Sequence, residues 1–235
     1  NLSNFYGQLA VQGPKTIEVI NKIFPNSNLG SLNKFYMTNI IDLEEKFSSY
    51  LKVKCPNGDN FLIARTGYTG EDGYEIFAPN EVISSVYEYL LESCKEIKPC
   101  GLASRDTLRI EAGFPLHGNE LIKGTTPVDF NLNRFIDFKK PNFIGKEVIE
   151  KYLENKKYVF IGFMMADNSI ARSGYDVLRN NAKIGFVTSG TFSPVLKKGI
   201  GFALLDYEHS KITEFEIRIR KSLKIAQKVD YPFIR

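Results

Sequence analysis

The stretch ARTGYTGEDGYEIF, from Ala64 to Phe77, combines three glycines with three carboxylates between two β-branched or aromatic runs. Glycine supplies turn conformations with positive φ, but a plain hairpin needs only about one or two such residues. A plain hairpin also seldom carries Glu71, Asp72 and Glu75 so close together. The stretch therefore predicts a tight acidic turn that leads into a strand and has a task beyond turning.

The segment GYEIF after this turn is typical of a strand, in which successive side chains point to opposite faces. Glu75 is therefore expected on the face opposite Tyr74 and Ile76, with its carboxylate aimed at one side of the sheet. A carboxylate accepts two parallel N–H bonds, which matches a guanidinium edge or a 2-amino-pyrimidinone ring such as guanine or a pterin.

Two interpretations of Glu75 follow from the residues alone. In the first, Glu75 binds such a ring and Tyr68 closes the pocket by stacking. In the second, Glu75 forms a surface ion pair with Arg65 or Arg105. Periodicity does not decide between them, and Glu71 and Asp72 are expected to shape the turn.

The segments before the stretch predict a β-α unit and a hairpin. YGQLAVQ predicts a strand that ends at Gln12, and the Gly13-Pro14 break precedes a helix with an apolar stripe of Ile17, Val19, Ile20 and Ile23. The alternation around Asn57-Gly58 predicts a hairpin.

The segments after it predict two helices. Asn80 is a candidate cap for a helix with apolar residues at helical spacing, namely Ile83, Val86, Tyr87, Leu90, Leu91 and Cys94. Ser104 is a candidate cap for a second helix that Gly113 would end. Arg105 and Arg109 would share one face of this helix, where Arg109 is either structural or functional.

The last part of the chain has a different pattern. NFIGKEVIEKYLEN predicts a short amphipathic helix, and the charged residues around Lys156 predict a boundary between domains 1–155 and 156–235. Short strands then recur between Gly, Asn and Ser breaks: YVFIGFMM, DVLR, KIGFVTSG, IGFALLD, EFEIRIR and KIAQKV. They indicate a small β-barrel or sandwich, and the whole chain is expected to be α+β with antiparallel sheets.

Composition argues against several classes of partner. The chain has 235 residues, 43% of them hydrophobic, and a formal charge of +4 from 31 basic and 27 acidic residues. This balance favours neither a nucleic-acid nor a membrane partner. The longest apolar runs, such as VFIGFMMA from Val159, are shorter than the roughly twenty residues of a membrane span.

The metal-ligating residue types are sparse. Cys55, Cys94 and Cys100 lack C-x-x-C spacing, so neither a disulfide framework nor a zinc site is expected. His117 and His209 are the only histidines, lack ligand neighbours in sequence and are expected at the surface or in turns. No metal is therefore predicted.

Five motifs along the chain resemble one family. They are RTGYTGEDGYEIF, GLASRDTLRIEAGFPLHGNEL, TTPVDFNL, FIGKEVI and KIGFVTSGTFSPVLKKGIGFALLD. In this order they resemble the motifs of the aminomethyltransferases, the T proteins of the glycine cleavage system. The resemblance implies a folate-binding α+β region to about residue 155 and a C-terminal barrel-like domain.

The resemblance also implies a reaction and a set of roles. The family transfers the methylene of an aminomethyl group, carried on the lipoyl arm of the H protein, to tetrahydrofolate and releases ammonia. Carried over by motif, Glu75 would bind the pterin edge, Tyr68 would lie beside the ring, and Arg105 would contact the folate. The location would be the cytoplasm of a bacterium or the mitochondrial matrix of a eukaryote.

Two departures from the family pattern leave alternatives open. QLAVQGP resembles a motif well inside the family's sequence, so the N-terminal third and its catalytic aspartate are expected upstream of Asn1. YPFIR stops at Arg235, where the family continues with aromatic residues that contact folate. A related folate-dependent demethylase and a non-catalytic folate-binding module remain alternatives.

Overall fold

The computed structural model describes residues 1–51, 60–122 and 124–234. Its residues form two compact units, Asn1–Arg105 and Asp106–Arg235. Both contain antiparallel strands together with helices, so the fold is α+β as the sequence predicts. The domain boundary at residue 155 stays a prediction. Cys55 and the hairpin predicted at Asn57-Gly58 lie outside the described residues.

The first unit contains a four-stranded antiparallel sheet in the order β1-β4-β3-β2. Its strands are β1 (Tyr6–Gln12), β2 (Met37–Asn39), β3 (Leu62–Ala64) and β4 (Gly73–Pro79). Its helices are α1 (Thr16–Ile23), α2 (Ile41–Phe47) and α3 (Ile83–Ser93), and α4 (Leu102–Glu111) begins here. The β1-α1 unit and the strand after the glycine-rich turn are confirmed.

One face of this sheet belongs to the hydrophobic core of the first unit. Tyr74 and Ile76 of β4 are buried there, whereas Glu75 between them points to the other, more exposed face. The same core takes in the apolar faces of the flanking helices through Val19, Ile20, Ile23, Val86 and Leu90. Cys94 packs against it as well, as its place in the helical pattern predicts.

The predicted helix caps were wrong. The residue at the N-cap of α3 is Val82, and the Asn80 side chain instead donates to the carbonyl of Asn4 at 3.0 Å. α4 begins before Ser104, whose hydroxyl donates back to the carbonyl of Gly101 at 2.8 Å. A serine hydroxyl inside the first turn can bond the carbonyl three residues back, and an asparagine amide can bond a distant carbonyl, so the capping residue types alone did not locate either helix start.

The end of α4 is as predicted. Gly113 has a φ of +80°, the left-handed conformation that glycine adopts without strain. The N–H of Phe114 donates to the carbonyl of Arg109 at 2.8 Å, and that of Gly113 donates to Ile110 at 2.9 Å. This pair of bonds is the Schellman arrangement, which satisfies carbonyls that the helix leaves free.

The second unit contains a closed six-stranded barrel in the order β10-β5-β8-β7-β6-β9. Its strands are β5 (Tyr158–Met165), β6 (Asp176–Arg179), β7 (Ala182–Ser193), β8 (Lys198–Asp206), β9 (Glu214–Ile219) and β10 (Ser222–Val229). The helix α5 (Lys146–Glu154) precedes it. All six predicted strands are present, and the barrel alternative is confirmed over the sandwich because β9 pairs with both β10 and β6.

Two apolar clusters stabilise the second unit. The first, including Ile161, Phe163, Val187, Phe215 and Ile217, alternates with outward-facing residues along the strands, as in the filled interior of a small barrel. The second joins Ile110 of α4 and Phe130 to barrel residues Phe160, Phe202 and Leu204. Among the described residues, no helix is long and apolar enough to cross a membrane.

Candidate functional site at the glycine-rich loop

The glycine-rich loop, residues 65–72, joins β3 to β4. Because the two strands are antiparallel and Ala64 lies opposite Glu75, the loop begins and ends at the same place on the sheet. Gly70 has a φ of +83° at its turn. The loop therefore keeps Thr66 and Tyr68 near the start of β4.

Glu75 is held by two side chains. Its Oε1 accepts a hydrogen bond of 2.6 Å from the Nε2 of Gln8 on β1, and its Oε2 accepts one from the hydroxyl of Thr66. Each carboxylate oxygen has two lone pairs, so one on each oxygen is left for a further donor. The carboxylate is oriented and keeps acceptor capacity on each of its two oxygens.

Within the described residues, Glu75 forms an ion pair with neither Arg65 nor Arg105. Arg65 binds Asp72 through two contacts, Nη2 to Oδ2 at 2.6 Å and Nε to Oδ1 at 3.1 Å. Arg105 places its guanidinium 4.8 Å from the ring centroid of Tyr68. The partners of Glu75 are neutral side chains instead, so its charge is not cancelled by either arginine.

Asp72 shapes the turn, as predicted. Besides Arg65, its Oδ1 accepts the N–H of Gly73 at 3.0 Å. The bond from Arg65 lowers the pKa of Asp72 and raises the pKa of Arg65. Glu71 is exposed at the tip of the same loop. Of the acidic residues in and just after the loop, Asp72 stabilises the turn, Glu71 is exposed, and Glu75 in β4 is the one that neighbouring side chains orient.

Tyr68 and Arg105 form the second part of the site. A guanidinium over an aromatic ring at this distance is a favourable cation–π contact. Arg105 is itself exposed on α4, so the planar group remains accessible to a ligand. The structure thus brings Tyr68 and Arg105 into contact. Glu75, the third predicted site residue, lies in β4, seven positions after Tyr68 in the chain.

Two family models match the chain, and they divide it in the order that the motifs predict. The GCVT N-terminal domain matches residues 1–140, and the glycine cleavage T-protein C-terminal barrel domain matches residues 159–234. The chain belongs to the glycine cleavage T-protein family. The second model covers the strands of the closed barrel.

Similar proteins agree with this membership. An aminomethyltransferase from Caldanaerobacter subterraneus subsp. tengcongensis is 43% identical over 239 residues, which is 100% of this chain and 60% of the relative. One from Aquifex aeolicus is 41% identical over 238 residues, with the same shares. The crystal structure of aminomethyltransferase T from Bartonella henselae has a TM-score of 0.82 at 27% identity, over 97% of this chain and 60% of that one. The chain therefore spans about 60% of the length of these T-protein relatives.

Sequence reasoning missed the residues that support Glu75 in this T-protein family member. Gln8, Gln12 and Thr66 were not predicted as site residues, although the glutamines lie on one face of β1 by the two-residue period of a strand. That face also carries Ala10, the residue opposite Glu75 in the sheet. The two-residue period of β1 was a signal in the sequence that Gln8 and Gln12 share a face. Only the pairing of β1 with β4 shows that this face lies beside Glu75.

The other polar residues singled out in the sequence lie elsewhere. His117 is exposed. His209 lies in a short turn, with its Nε2 3.3 Å from Oε1 of Glu208. The prediction of surface or turn positions for both histidines is therefore confirmed. Cys100 is exposed in a loop. No group of three or more potential metal ligands occurs within residues 1–51, 60–122 and 124–234.

Proposed function

We propose that this chain is the folate-binding and barrel portion of a tetrahydrofolate-dependent aminomethyltransferase of glycine cleavage. Such an enzyme transfers the methylene of the aminomethyl group on the lipoyl arm of H protein to tetrahydrofolate and releases ammonia. Membership of the T-protein family and relatives that are aminomethyltransferases support this reaction class. The location would be the bacterial cytoplasm, or the mitochondrial matrix in a eukaryote.

The observation that carries the proposal is the state of the Glu75 carboxylate. Gln8 and Thr66 fix its two oxygens and leave one lone pair on each. A pterin presents a ring N–H and a 2-amino N–H side by side, and these match two parallel acceptors. Glu75 is therefore the residue that would recognise the pterin edge.

Tyr68 and Arg105 would fix the rest of the folate. Tyr68 offers an aromatic face beside the ring, and the exposed guanidinium of Arg105 offers planar donors. Fixing the ring matters because a folate nitrogen must meet an electrophilic methylene at near-attack distance, and such positioning supplies a large part of the rate. These three residues bind and orient the acceptor.

The group that activates the reacting folate is proposed to lie outside this chain. The family's aspartate belongs to the N-terminal third of its sequence, and we assign its role to no residue between Asn1 and Arg235. Lipoylated H protein would be the donor and partner. Neither a metal nor a nucleic acid has a part in the proposed reaction.

Titration with tetrahydrofolate tests the assignment of Glu75. Glu75→Ala should weaken binding by about 1.5 to 3 kcal/mol, the range for a hydrogen bond to a charged group. Glu71→Ala is the matched control, because it removes an exposed carboxylate from the same loop and should change binding much less. Equal losses in both variants, or no loss in Glu75→Ala, would contradict the proposal.

A further inference from the structure

Gln12, the last residue of β1, has its side-chain amide inside the glycine-rich loop. Its Nε2 donates to the carbonyl of Thr66 at 3.1 Å and to the carbonyl of Tyr74 at 3.3 Å. Its Oε1 accepts from the hydroxyl of Thr69 at 3.3 Å. One side chain of β1 therefore bonds the start of the loop at Thr66, its middle at Thr69 and the start of β4 at Tyr74.

Two glycines make room for this amide, Gly67 in the loop and Gly73 at the start of β4. A Cβ on Gly67 would overlap the side-chain oxygen of Gln12, and a Cβ on Gly73 would lie 2.5 Å from its amide carbon. Neither glycine has the positive φ that Gly70 has. Gly67 and Gly73 are therefore explained by the space that Gln12 occupies rather than by the turn.

The contacts of Gln12 lead directly to Glu75. Thr66 accepts from Gln12 through its carbonyl and donates through its hydroxyl to the Glu75 carboxylate. Tyr74, the second acceptor, is the residue before Glu75 in β4. The amide of Gln12 thus holds two backbone carbonyls near the Glu75 carboxylate, those of Thr66 and Tyr74. The side chain of Thr66 also bonds Glu75 directly.

We propose that Gln12 is a positioning residue for the acceptor: it holds Thr66 and the start of β4 so that the Glu75 carboxylate faces the pterin edge. This inference rests on the proposed function. Gln12 acts through Thr66 and Glu75 and does not itself touch the ligand. Donation by the amide is the essential property, since both backbone partners are acceptors.

The test compares three single variants in titrations of the 235-residue chain with tetrahydrofolate. Gln12→Met keeps the length of the side chain but loses its donors, and Gln12→Glu keeps the shape but places oxygen beside two carbonyls. Both should raise the Kd about tenfold, the effect of weakening two neutral hydrogen bonds. Gln227→Met, the same change on an exposed residue of β10, should leave the Kd unchanged.

A double-variant cycle separates positioning from general destabilisation. In a Glu75→Ala background, Gln12→Met should raise the Kd less than about twofold, because the carboxylate that Gln12 positions is absent. Thermal unfolding of each variant establishes that the titrations compare folded chains. If Gln12→Glu does not fold, Gln12→Met alone tests the inference. An equal effect of Gln12→Met with and without Glu75, or wild-type affinity in Gln12→Glu, would overturn the inference.

The same data distinguish failure of the inference from failure of the proposed function. If Glu75→Ala weakens binding but Gln12→Met does not, the proposed function stands and the role of Gln12 is refuted. If the wild-type chain shows no binding that depends on Glu75, the proposed function is refuted, and the role of Gln12 with it.

Discussion

At the scale of single residues, the loop shows how three neighbouring carboxylates acquire different roles. Asp72 bonds Arg65 twice and the N–H of Gly73 once, so it stabilises the turn. Glu71 is exposed. Glu75 bonds only neutral side chains in the contacts that the structure describes, Gln8 and Thr66, and keeps its charge available.

The ion pair of Asp72 predicts a specific pH dependence. Because Arg65 lowers the pKa of Asp72 in the folded state, the stabilisation is present above the unfolded-state value of about 4 and is lost as pH falls through the lower folded-state pKa. Thermal melting of wild type and Asp72→Asn should therefore differ at about pH 7 and converge below about pH 4. Glu71→Gln is the control, and a difference between wild type and Asp72→Asn that does not shrink on acidification would refute the prediction.

Arg105 should not be replaceable by lysine. Arg105→Ala should weaken tetrahydrofolate binding, and Arg105→Lys should fail to restore it, because an ammonium lacks the planar fork of donors and the face that lies over Tyr68. Titration of the two variants measures this. Full rescue by lysine would show that only the positive charge is needed.

At the scale of elements, α4 carries a buried charge cluster. Arg109 is 1% exposed and pairs with Glu120, which is 0% exposed, at 3.1 Å. The same guanidinium bonds Asp106 at 2.8 Å, the carbonyl of Phe114 at 3.1 Å and the Ser189 hydroxyl at 2.6 Å. Of the two roles that the sequence left open for Arg109, these contacts favour the structural one, because the side chain joins α4 to barrel strand β7.

Removing Arg109 should therefore destabilise the second unit strongly. Arg109→Met leaves the buried Glu120 without its cationic partner and should lower the free energy of unfolding by about 3 to 5 kcal/mol. Urea denaturation measures the loss, and Arg134→Met, a change at an exposed arginine of the same unit, is the control. Adding Glu120→Met should recover part of the loss, whereas a loss below about 1 kcal/mol in the single variant would contradict the burial argument.

At the scale of the whole molecule, large apolar side chains lie exposed in both units. Phe35, Tyr36 and Met37, at and just before the edge strand β2, are 86%, 63% and 59% exposed. In the second unit, Phe135 and Ile144 are 72% and 103% exposed. Exposed apolar groups favour association, so the 235-residue chain should be prone to self-association or poor solubility.

The chain alone should bind folate weakly and transfer no methylene from aminomethylated H protein. Glu75 and Arg105 would fix the ring, whereas the rate requires the group that aligns the reacting centre, which we place in the family's N-terminal region. Supplying that region from the Caldanaerobacter aminomethyltransferase, fused or as a separate polypeptide, should restore turnover and raise the melting temperature. Normal turnover by the 235-residue chain would mean that a residue present here performs the step.

The sequence by itself determined the elements that depend on local pattern. The two-residue period placed Glu75 on the face of the sheet opposite to Tyr74 and Ile76. The helical period predicted the buried faces of α1 and α3, except for Tyr87 of α3, which is exposed. The six short strands of the barrel were predicted for the same reason, because alternation and turn residues act over a few positions. The starts of α3 and α4 were not, since Asn and Ser bond backbone groups in several local conformations.

Tertiary structure decided which distant residues meet. Closure of the barrel depends on β9 pairing with β6, and the support of Glu75 depends on the register that brings Gln8 and Gln12 of β1 beside β4. Arg109 carries the same charge as Arg105 four positions earlier, yet it is buried and Arg105 is exposed. Such outcomes depend on contacts between segments far apart in the sequence, as between Val177 and Ile217, Gln8 and Glu75, or Arg109 and Ser189, and no local period in the sequence encodes them.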